Sequence, residues 1–240
     1  LPNFIRGRMR YMLVALPLAE DLDDYRRNGR GVTLQWLDVE PAQARALAAA
    51  LAFDARPENA RYTYDYYTAN CSTKVRDALD TALGGHLRAQ LEGTSRGLTY
   101  RSESVRLAWP AKWMAAGFDV GLGGFADRPL SRWDEAFIPM RLRESLRDAK
   151  GTAGRPLVIE EAVVLPHRLS LPPAELPRTA GAAFVAGLAL GLAAWWGARR
   201  FRRATAALAL AFWTLCGLAG ALMLFIWFGT AHVAGHANAN

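Results

Sequence analysis

The alternation of polar and apolar positions changes abruptly near residue 179. Residues 1–178 mix charged and apolar side chains, which is typical of a domain that folds in water. Two uncharged runs follow, Thr179–Ala198 and Ala204–Ala231. Each is long enough to cross a bilayer as a helix, and the second, at about 28 residues, is expected to tilt or extend past the hydrocarbon core. A buried helical hairpin of a soluble protein is the alternative, and the length of both runs disfavours it.

The link between the two apolar runs, Gly197–Arg203, carries four arginines. Short basic loops stay in the cytoplasm, so residues 1–178 and the tail from His232 are predicted to face the other side. In a bacterium this places the chain in the inner membrane, with its first domain in the periplasm. Tryptophans near the ends of the runs fit the membrane interface: they are Trp195, Trp196 and Trp227.

These patterns predict four segments. They are an extracytoplasmic domain at 1–165, a proline-rich linker at 166–178, two transmembrane helices with an arginine-rich cytoplasmic loop at 179–231, and an extracytoplasmic tail at 232–240. No signal peptide precedes Leu1, and the sequence stops shortly after the second apolar run. We therefore expect a fragment of a longer protein.

The first domain is predicted to be α+β. Period-two alternation predicts strands at 10–18, 31–39 and 157–165, together with an aromatic strand at 61–67. Helical spacing predicts helices at 20–28, 41–53, 71–83, 107–116 and 133–146, the last interrupted at Pro139. A glycine-rich turn at 121–124 lacks the lysine and the spacing of a phosphate loop. No cofactor is expected.

The formal net charge of +7 does not indicate nucleic acid as a partner. Four of the basic residues lie in the link between the apolar runs, and the others are scattered among acidic residues. A nucleic-acid surface requires a basic face on a folded domain. The partners that the sequence predicts are the lipid bilayer and a substrate within it.

Cys71 is the candidate nucleophile. Asn70 is a natural N-cap, so Cys71 falls in the first turn of a helix, where the positive end of the helix dipole favours a thiolate. The other cysteine, Cys216, lies in the second apolar run and cannot pair with it. The alternative is a small buried core residue, since free cysteines are often buried.

A base for Cys71 is not evident in this sequence. His86 follows the far end of the Cys71 helix, about 20 Å away, and His167 lies in the linker. His232 and His236 form a possible base or membrane-edge site, and no third ligand accompanies them, so no metal is expected. The base was lost with a missing N-terminal part, or His167 or the membrane-edge pair reaches Cys71, or the site is inactive.

Other residues near Cys71 are predicted to support it. Tyr62, Tyr64 and Tyr66 alternate, which predicts one strand face packed on the core. Arg76 and Asp77 are expected to form fixed ion pairs or hydrogen bonds near the site. Tyr64 and Thr73 complete the supporting set.

Several segments together carry a family resemblance. They include Asn3–Gly7, Arg30–Val32, Gln35–Asp38, Tyr62–Tyr66, Asn70–Thr73, Gly121–Gly123, Asp127–Leu130, Phe137–Pro139 and Pro156–Val158. In this order the chain resembles, over essentially its whole length, the bacterial family named for the Lnb N-terminal periplasmic domain. The Asn-Cys-Ser-Thr segment is the most specific of them. The tail residues His232, His236, Asn238 and Asn240 resemble the start of a further periplasmic loop of that family.

The resemblance implies a permuted papain-like fold, in which a strand histidine precedes the cysteine helix and lies upstream of Leu1. It implies a membrane-anchored cysteine acyltransferase that N-acylates bacterial lipoproteins through a thioester on Cys71. The Asn70 side chain, or backbone N–H groups at the helix start, would stabilise the oxyanion. A periplasmic cysteine hydrolase, either peptidase or amidase, and a non-catalytic membrane-bound interaction domain remain the alternatives.

Overall fold

The computed structural model describes residues 2–14, 16–177 and 180–236. Leu1, Ala15, Arg178, Thr179 and residues 237–240, including the tail residues Asn238 and Asn240, lie outside the described residues. The chain forms two compact units, each described by itself. The first comprises Leu1–Tyr100 and Asp127–Leu171, and the second comprises Arg101–Ala126 and Pro172–Asn240.

The strands of the first unit form two antiparallel pairs. Strand β1 (Met9–Met12) pairs with β3 (Arg61–Tyr64), and β2 (Val32–Leu37) pairs with β4 (Val158–Leu165). The prediction of a strand at 10–18 was too long, because Pro17 instead precedes a helix. The mixed α+β class is confirmed. The papain-like arrangement stays a prediction, since the described strands form two separate pairs rather than one larger sheet.

Helices supply most of the first unit. They are α1 (Pro2–Ile5), α2 (Leu18–Arg27), α3 (Pro41–Asp54), α4 (Cys71–Ala82), α5 (His86–Leu91), the start of α6 (Tyr100–Ala108), α8 (Arg132–Glu135) and α9 (Pro139–Asp148). The four-residue spacing of Leu79, Leu83, Leu87 and Leu91 brings one face of α4 and α5 into the core. Trp133 and Leu142 pack there from α8 and α9. The predicted interruption at Pro139 is confirmed, with Pro139 as the first residue of α9.

The second unit contains the apolar helices. Helix α6 ends at Ala108, and α7 (Lys112–Gly121) begins after Pro110. The prediction of one helix over 107–116 was therefore wrong, because proline lacks an N–H and restricts the residue before it. The glycine-rich segment at 121–124 ends α7 and leads into a short 3₁₀ helix, Gly124–Asp127.

Helices α10 (Ala180–Arg200) and α11 (Arg202–Gly229) are long and apolar enough to cross a membrane. They continue through most of the predicted arginine-rich link and leave Phe201 between them. Neither contains a buried residue, although a core helix of a soluble protein would be mostly buried. Their exposed apolar surface is compatible with a lipid environment.

The start of α4 is fixed by the side chain of Asn70. Its Oδ1 accepts hydrogen bonds from the N–H groups of Ser72 and Thr73, both at 2.9 Å. Its Nδ2 donates to the carbonyl oxygens of Tyr66 and Phe137, again at 2.9 Å. Asn70 is buried, so these four bonds are shielded from water and hold the cap in one position.

Arg76 holds α4 against α8. Its guanidinium lies 4.0 Å from the ring centroid of Trp133, and its Nη1 donates to the Trp133 carbonyl at 2.9 Å. Its Nε and Nη2 both donate to Asp77 Oδ1, at 2.8 and 2.7 Å. Arg76 is buried and the Asp77 side chain is 47% exposed, so the main contribution of Arg76 is its contact with Trp133. The expected ion pair between Arg76 and Asp77 is present.

Replacing Arg76 with alanine is expected to lower the free energy of unfolding by about 3 kcal/mol, since it removes a buried stacking contact and a buried charge-assisted hydrogen bond to the Trp133 carbonyl. Asp77→Asn is the matched control, and its cost is expected to be about 1 kcal/mol or less because that side chain is half exposed. Denaturant unfolding of the purified full chain measures both. Equal losses would contradict the assigned role of the Trp133 contact.

Asn70→Ala is expected to destabilise the protein by about 3 kcal/mol, because it removes a cap and two buried hydrogen bonds to backbone carbonyls. Ser131→Ala is a suitable comparison. Ser131 caps α8 by accepting the N–H of Asp134, and among the described residues its hydroxyl donates to no backbone carbonyl. Its cost is expected to be about 1 kcal/mol. If the thermal unfolding midpoints of the two variants fell equally, the Nδ2 bonds of Asn70 would contribute nothing.

Candidate functional site

Cys71 is the first residue of α4, and its side chain is exposed. The N–H groups of Ser72 and Thr73 are taken by Asn70, as described above. The N–H of Cys71 precedes the first intrahelical hydrogen bond, so no carbonyl within the helix accepts from it. Cys71 thus combines an accessible thiol with a backbone donor and the positive end of a helix dipole.

A groove of about 430 Å³ opens beside Cys71. Helices α4 and α9 line it mainly with apolar side chains, and the region of β2 adds polar ones. The apolar set is Val75, Pro139, Met140, Leu142 and Leu146; the remaining lining residues are Gly31, Thr33, Gln35, Ser72 and Arg143. The groove could hold an extended apolar group with its reactive carbon near the thiol.

Arg143 is the charged residue of this groove among the described residues. Its Nη1 donates to Thr33 Oγ1 over a long 3.4 Å, and its buried Nε has no hydrogen-bond partner among the described residues. Gln35 fixes the backbone of Arg143, because its Nε2 donates to the Arg143 carbonyl at 3.1 Å and to Glu161 Oε2 at 2.8 Å. The guanidinium therefore keeps donors available for an anionic or strongly polar group.

These lining residues were not identified from the sequence, although one signal was present. Thr33 and Gln35 alternate along β2, which places them on one side of the strand, and Gly31 directly precedes β2. That this side faces Cys71, and that α9 turns Arg143 towards it, depends on contacts between distant segments. Gly31 also allows a close approach, since a Cβ there would lie 2.9 Å from the Cβ of His167.

A cluster of tyrosines lies near Cys71. Tyr11 and Tyr64 stack with ring centroids 4.1 Å apart, and Tyr66 meets Tyr64 edge to face at 5.8 Å. Tyr62 and Tyr64 are half-buried and Tyr66 is exposed, so the prediction that all three pack on the core was wrong. Among the described strands, β3 pairs with β1 alone; Tyr62 and Tyr64 lie on β3 and Tyr66 follows it.

Burial raises the pKa of Tyr64 to about 12, and the negative charge of a Cys71 thiolate adds to the effect. The same two causes raise the pKa of Tyr62. Both phenols therefore stay protonated at neutral pH. A neutral phenol within electrostatic range of the thiol can donate a hydrogen bond to an anionic group at the site.

The remaining predicted site residues serve the helix start. Thr73 Oγ1 accepts from the N–H of Asn70 at 2.8 Å, which completes a reciprocal cap. Both hydrogens of the Asn70 amide are used by backbone carbonyls, so this side chain has none left for an oxyanion. The backbone N–H of Cys71 remains for that purpose. Arg76 and Asp77 bond to each other and to α8, and their role in chemistry stays a prediction.

No histidine lines the groove in the part of the chain that the structure describes. His167 lies beside its rim, where Nδ1 accepts the N–H of Gly31 at 3.2 Å. This bond occupies the Nδ1 lone pair and places the proton of a neutral imidazole on Nε2. His167 is thus not arranged to accept a proton from Cys71. His86 begins α5, beyond the far end of α4.

His232 and His236 belong to the second unit, where they flank a 3₁₀ turn, Val233–Gly235. The Nε2 of His236 lies 3.1 Å from the Thr230 carbonyl, and the N–H of His232 donates to Thr230 Oγ1. Across the described residues, no group of three or more His, Cys, Asp or Glu side chains could hold a metal ion.

Comparison with known proteins identifies the first part of the chain. The family model described as the Lnb N-terminal periplasmic domain matches residues 2–106, a span that includes β1 to β3 and the Cys71 helix. No curated protein and no solved structure matches the chain. The matched model is that of a periplasmic domain, and the two helices long enough to cross a membrane lie outside the matched residues. Residues 2–106 are therefore similar to the Lnb N-terminal periplasmic domain, and the two apolar helices that follow suggest a membrane-anchored protein with a periplasmic domain.

Proposed function

We propose that this protein is a cysteine acyltransferase of the bacterial inner membrane that N-acylates lipoproteins through a thioester on Cys71. The observation that carries the proposal is the position of an exposed cysteine at the start of α4, beside a mainly apolar groove. An acyl chain fits the apolar lining. A membrane-anchored enzyme is suited to a substrate that is itself held in the bilayer.

The proposed reaction has two steps. The Cys71 sulfur attacks the carbonyl carbon of a lipid ester; a C–S bond forms, the ester C–O bond breaks, and the leaving alkoxide takes up the thiol proton. The α-amine of the lipoprotein's N-terminal cysteine then attacks the thioester. A C–N bond forms, the C–S bond breaks, and the amine proton returns to the sulfur. No proton is gained or lost over the cycle.

Groups at the start of α4 and in the groove support this chemistry. The backbone N–H of Cys71 and the helix dipole favour the oxyanion of each tetrahedral intermediate. Arg143 supplies a positive charge with an unused buried donor. Tyr64 stays neutral and adds a hydrogen-bond donor. These roles are proposed for residues whose geometry is described above.

A periplasmic cysteine hydrolase is the second candidate, and the exposure of Cys71 favours it. Water competes with an amine for a thioester unless the site is closed to solvent. The fate of the acyl group separates the two functions. A transferase passes the chain to an amine, whereas a hydrolase releases a free fatty acid.

Cys71 is expected to carry a hydroxylamine-sensitive acyl group when the full chain is incubated in membranes with an alkyne-tagged phospholipid. The label should be lost completely in Cys71→Ala and retained in Cys216→Ala, which changes the second cysteine, on α11. Label that persists in Cys71→Ala would contradict the nucleophile assignment.

Mass spectrometry of lipoprotein N-termini, in a strain that depends on this protein, tests the acceptor. Equal N-acylation with wild type and Cys71→Ala would rule out the lipoprotein reaction. Free fatty acid without N-acylation would identify the hydrolase.

Arg143→Met is expected to reduce the rate of Cys71 acylation by about 10-fold or more, because it removes the positive charge from the groove that Cys71 lines. The free energy of unfolding should change by less than about 1 kcal/mol, since the buried Nε has no partner to lose and Met restores much of the apolar volume. Val75→Ala is a control for the volume of the groove. An unchanged acylation rate in Arg143→Met would exclude the proposed role.

A further inference from the structure

Helix α7 carries large apolar side chains on its exposed side. Trp113 is 77% exposed and Val120 51%, and Met114 and Phe118 are exposed as well. At 100° per residue these four side chains occupy one side of the helix. Lys112, Ala115 and Asp119 share the opposite side, and Ala115 is the buried residue of α7.

The opposite side of α7 is fixed to its own unit. Ala115 packs in a small apolar cluster with Val105 and Ala108 of α6, and Trp109 packs against that cluster. Arg101 donates to the carbonyl oxygens of Asp119 and Leu122 at the C-terminal end of α7. The apolar side is therefore held outward by a packed helix.

The C-terminal end of α7 meets the 3₁₀ turn Val233–Gly235, which follows α11 and packs against its last turn. The N–H of Gly123 donates to the Ala234 carbonyl at 2.7 Å. A Cβ at Gly235 would stand 2.7 Å from Ile226 Cγ2 and 3.9 Å from the Gly121 carbonyl oxygen, so these segments touch. Ile226 lies in the last turn of α11, on the end opposite the arginines. This contact sets α7 at the level where α11 leaves the bilayer.

We propose that α7 is an interfacial helix that lies on the periplasmic leaflet of the bilayer crossed by α10 and α11. Trp113, Met114, Phe118 and Val120 enter the boundary between headgroups and acyl chains, and Asp119 faces away from it. A short helix with one apolar and one charged side is suited to this position. Lys112 lies on the side away from the acyl chains, and its Nζ is 3.5 Å from the ring centroid of Trp109.

The bilayer is favoured over a protein partner because the apolar side is continuous with a membrane element. Helix α11 is 28 residues long, or about 42 Å, which exceeds the hydrocarbon core by roughly 12 Å. Its last turn, with Trp227 and the 83% exposed Phe228, therefore lies near the interface. Helix α7 is joined to this end of α11 through the turn Val233–Gly235, and its apolar side faces outward, so that side is next to lipid.

Depth-dependent quenching tests the proposal. The full chain is prepared as Cys71→Ser, Cys216→Ala and reconstituted in nanodiscs of phosphatidylethanolamine and phosphatidylglycerol. Single cysteines replace Trp113 or Val120 on the apolar side and carry an environment-sensitive fluorophore. Asp119→Cys is the matched control on the same helix, and Leu215→Cys, in the middle of α11, reports the bilayer interior.

Labels at 113 and 120 are expected to emit at shorter wavelength than the label at 119. They should lose about half of their emission when the nanodiscs contain lipids with a nitroxide near the headgroup end of the chain. The label at 215 should respond more strongly to a nitroxide near the chain terminus. Labels at 113 and 120 that match the water-exposed label at 119 would overturn the proposal. A shorter emission wavelength without quenching by either lipid would also overturn it, since it would show contact with a second copy or another protein.

Discussion

The buried carboxamide of Asn70 is the interaction on which the candidate site depends. One side chain joins the N–H groups of Ser72 and Thr73 to the carbonyls of Tyr66 and Phe137. It thereby connects the aromatic segment, the start of α4 and the turn before α9. These elements carry the tyrosine cluster, the thiol and one wall of the groove. An asparagine is suited to this position because it offers an acceptor and two donors without a charge, and a buried charge would cost far more.

The residues that follow Cys71 in α4 are buried and hydrogen-bonded, whereas the side chain of Cys71 is exposed. Ser72, Thr73 and Arg76 are buried and bonded, whereas Cys71 points to the groove. A nucleophile requires this combination, because the helix start must be rigid for its N–H to be aimed and the sulfur must be reachable. The groove adds an apolar wall from α4 and α9 and a positive charge from Arg143. Cys71 therefore lies where a lipid-like acyl group and a developing negative charge can both be accommodated.

The second unit exposes a large apolar surface that is compatible with contact with lipid. The helices α10 and α11 expose apolar side chains along their whole length, which a water-soluble unit would not tolerate. Arginines at the junction of α10 and α11 are close to aromatic rings, with Arg199 3.9 Å from the Trp195 centroid. Such pairs shield the charge at a membrane boundary while leaving it near water. The exposed side of α7 extends the same surface chemistry to a short helix at the other end of α11.

The sequence by itself determined the elements whose signals are local. Asn70 before Cys71 predicted the helix start, Pro139 predicted the start of α9, and uncharged runs predicted α10 and α11, because capping, proline geometry and hydrophobic length act within a few residues or one helix. The same local reasoning failed at Pro110, where the helix breaks, and at Tyr66, which lies beyond β3 and is exposed although it alternates with the half-buried Tyr62 and Tyr64. Only the tertiary structure brought Thr33, Gln35 and Arg143 to Cys71, since these contacts join segments that are distant in sequence. It also showed that the Asn70 amide is already used and that the Nδ1 of His167 is bound by Gly31, because the partners of a polar side chain are set by packing rather than by neighbours in the chain.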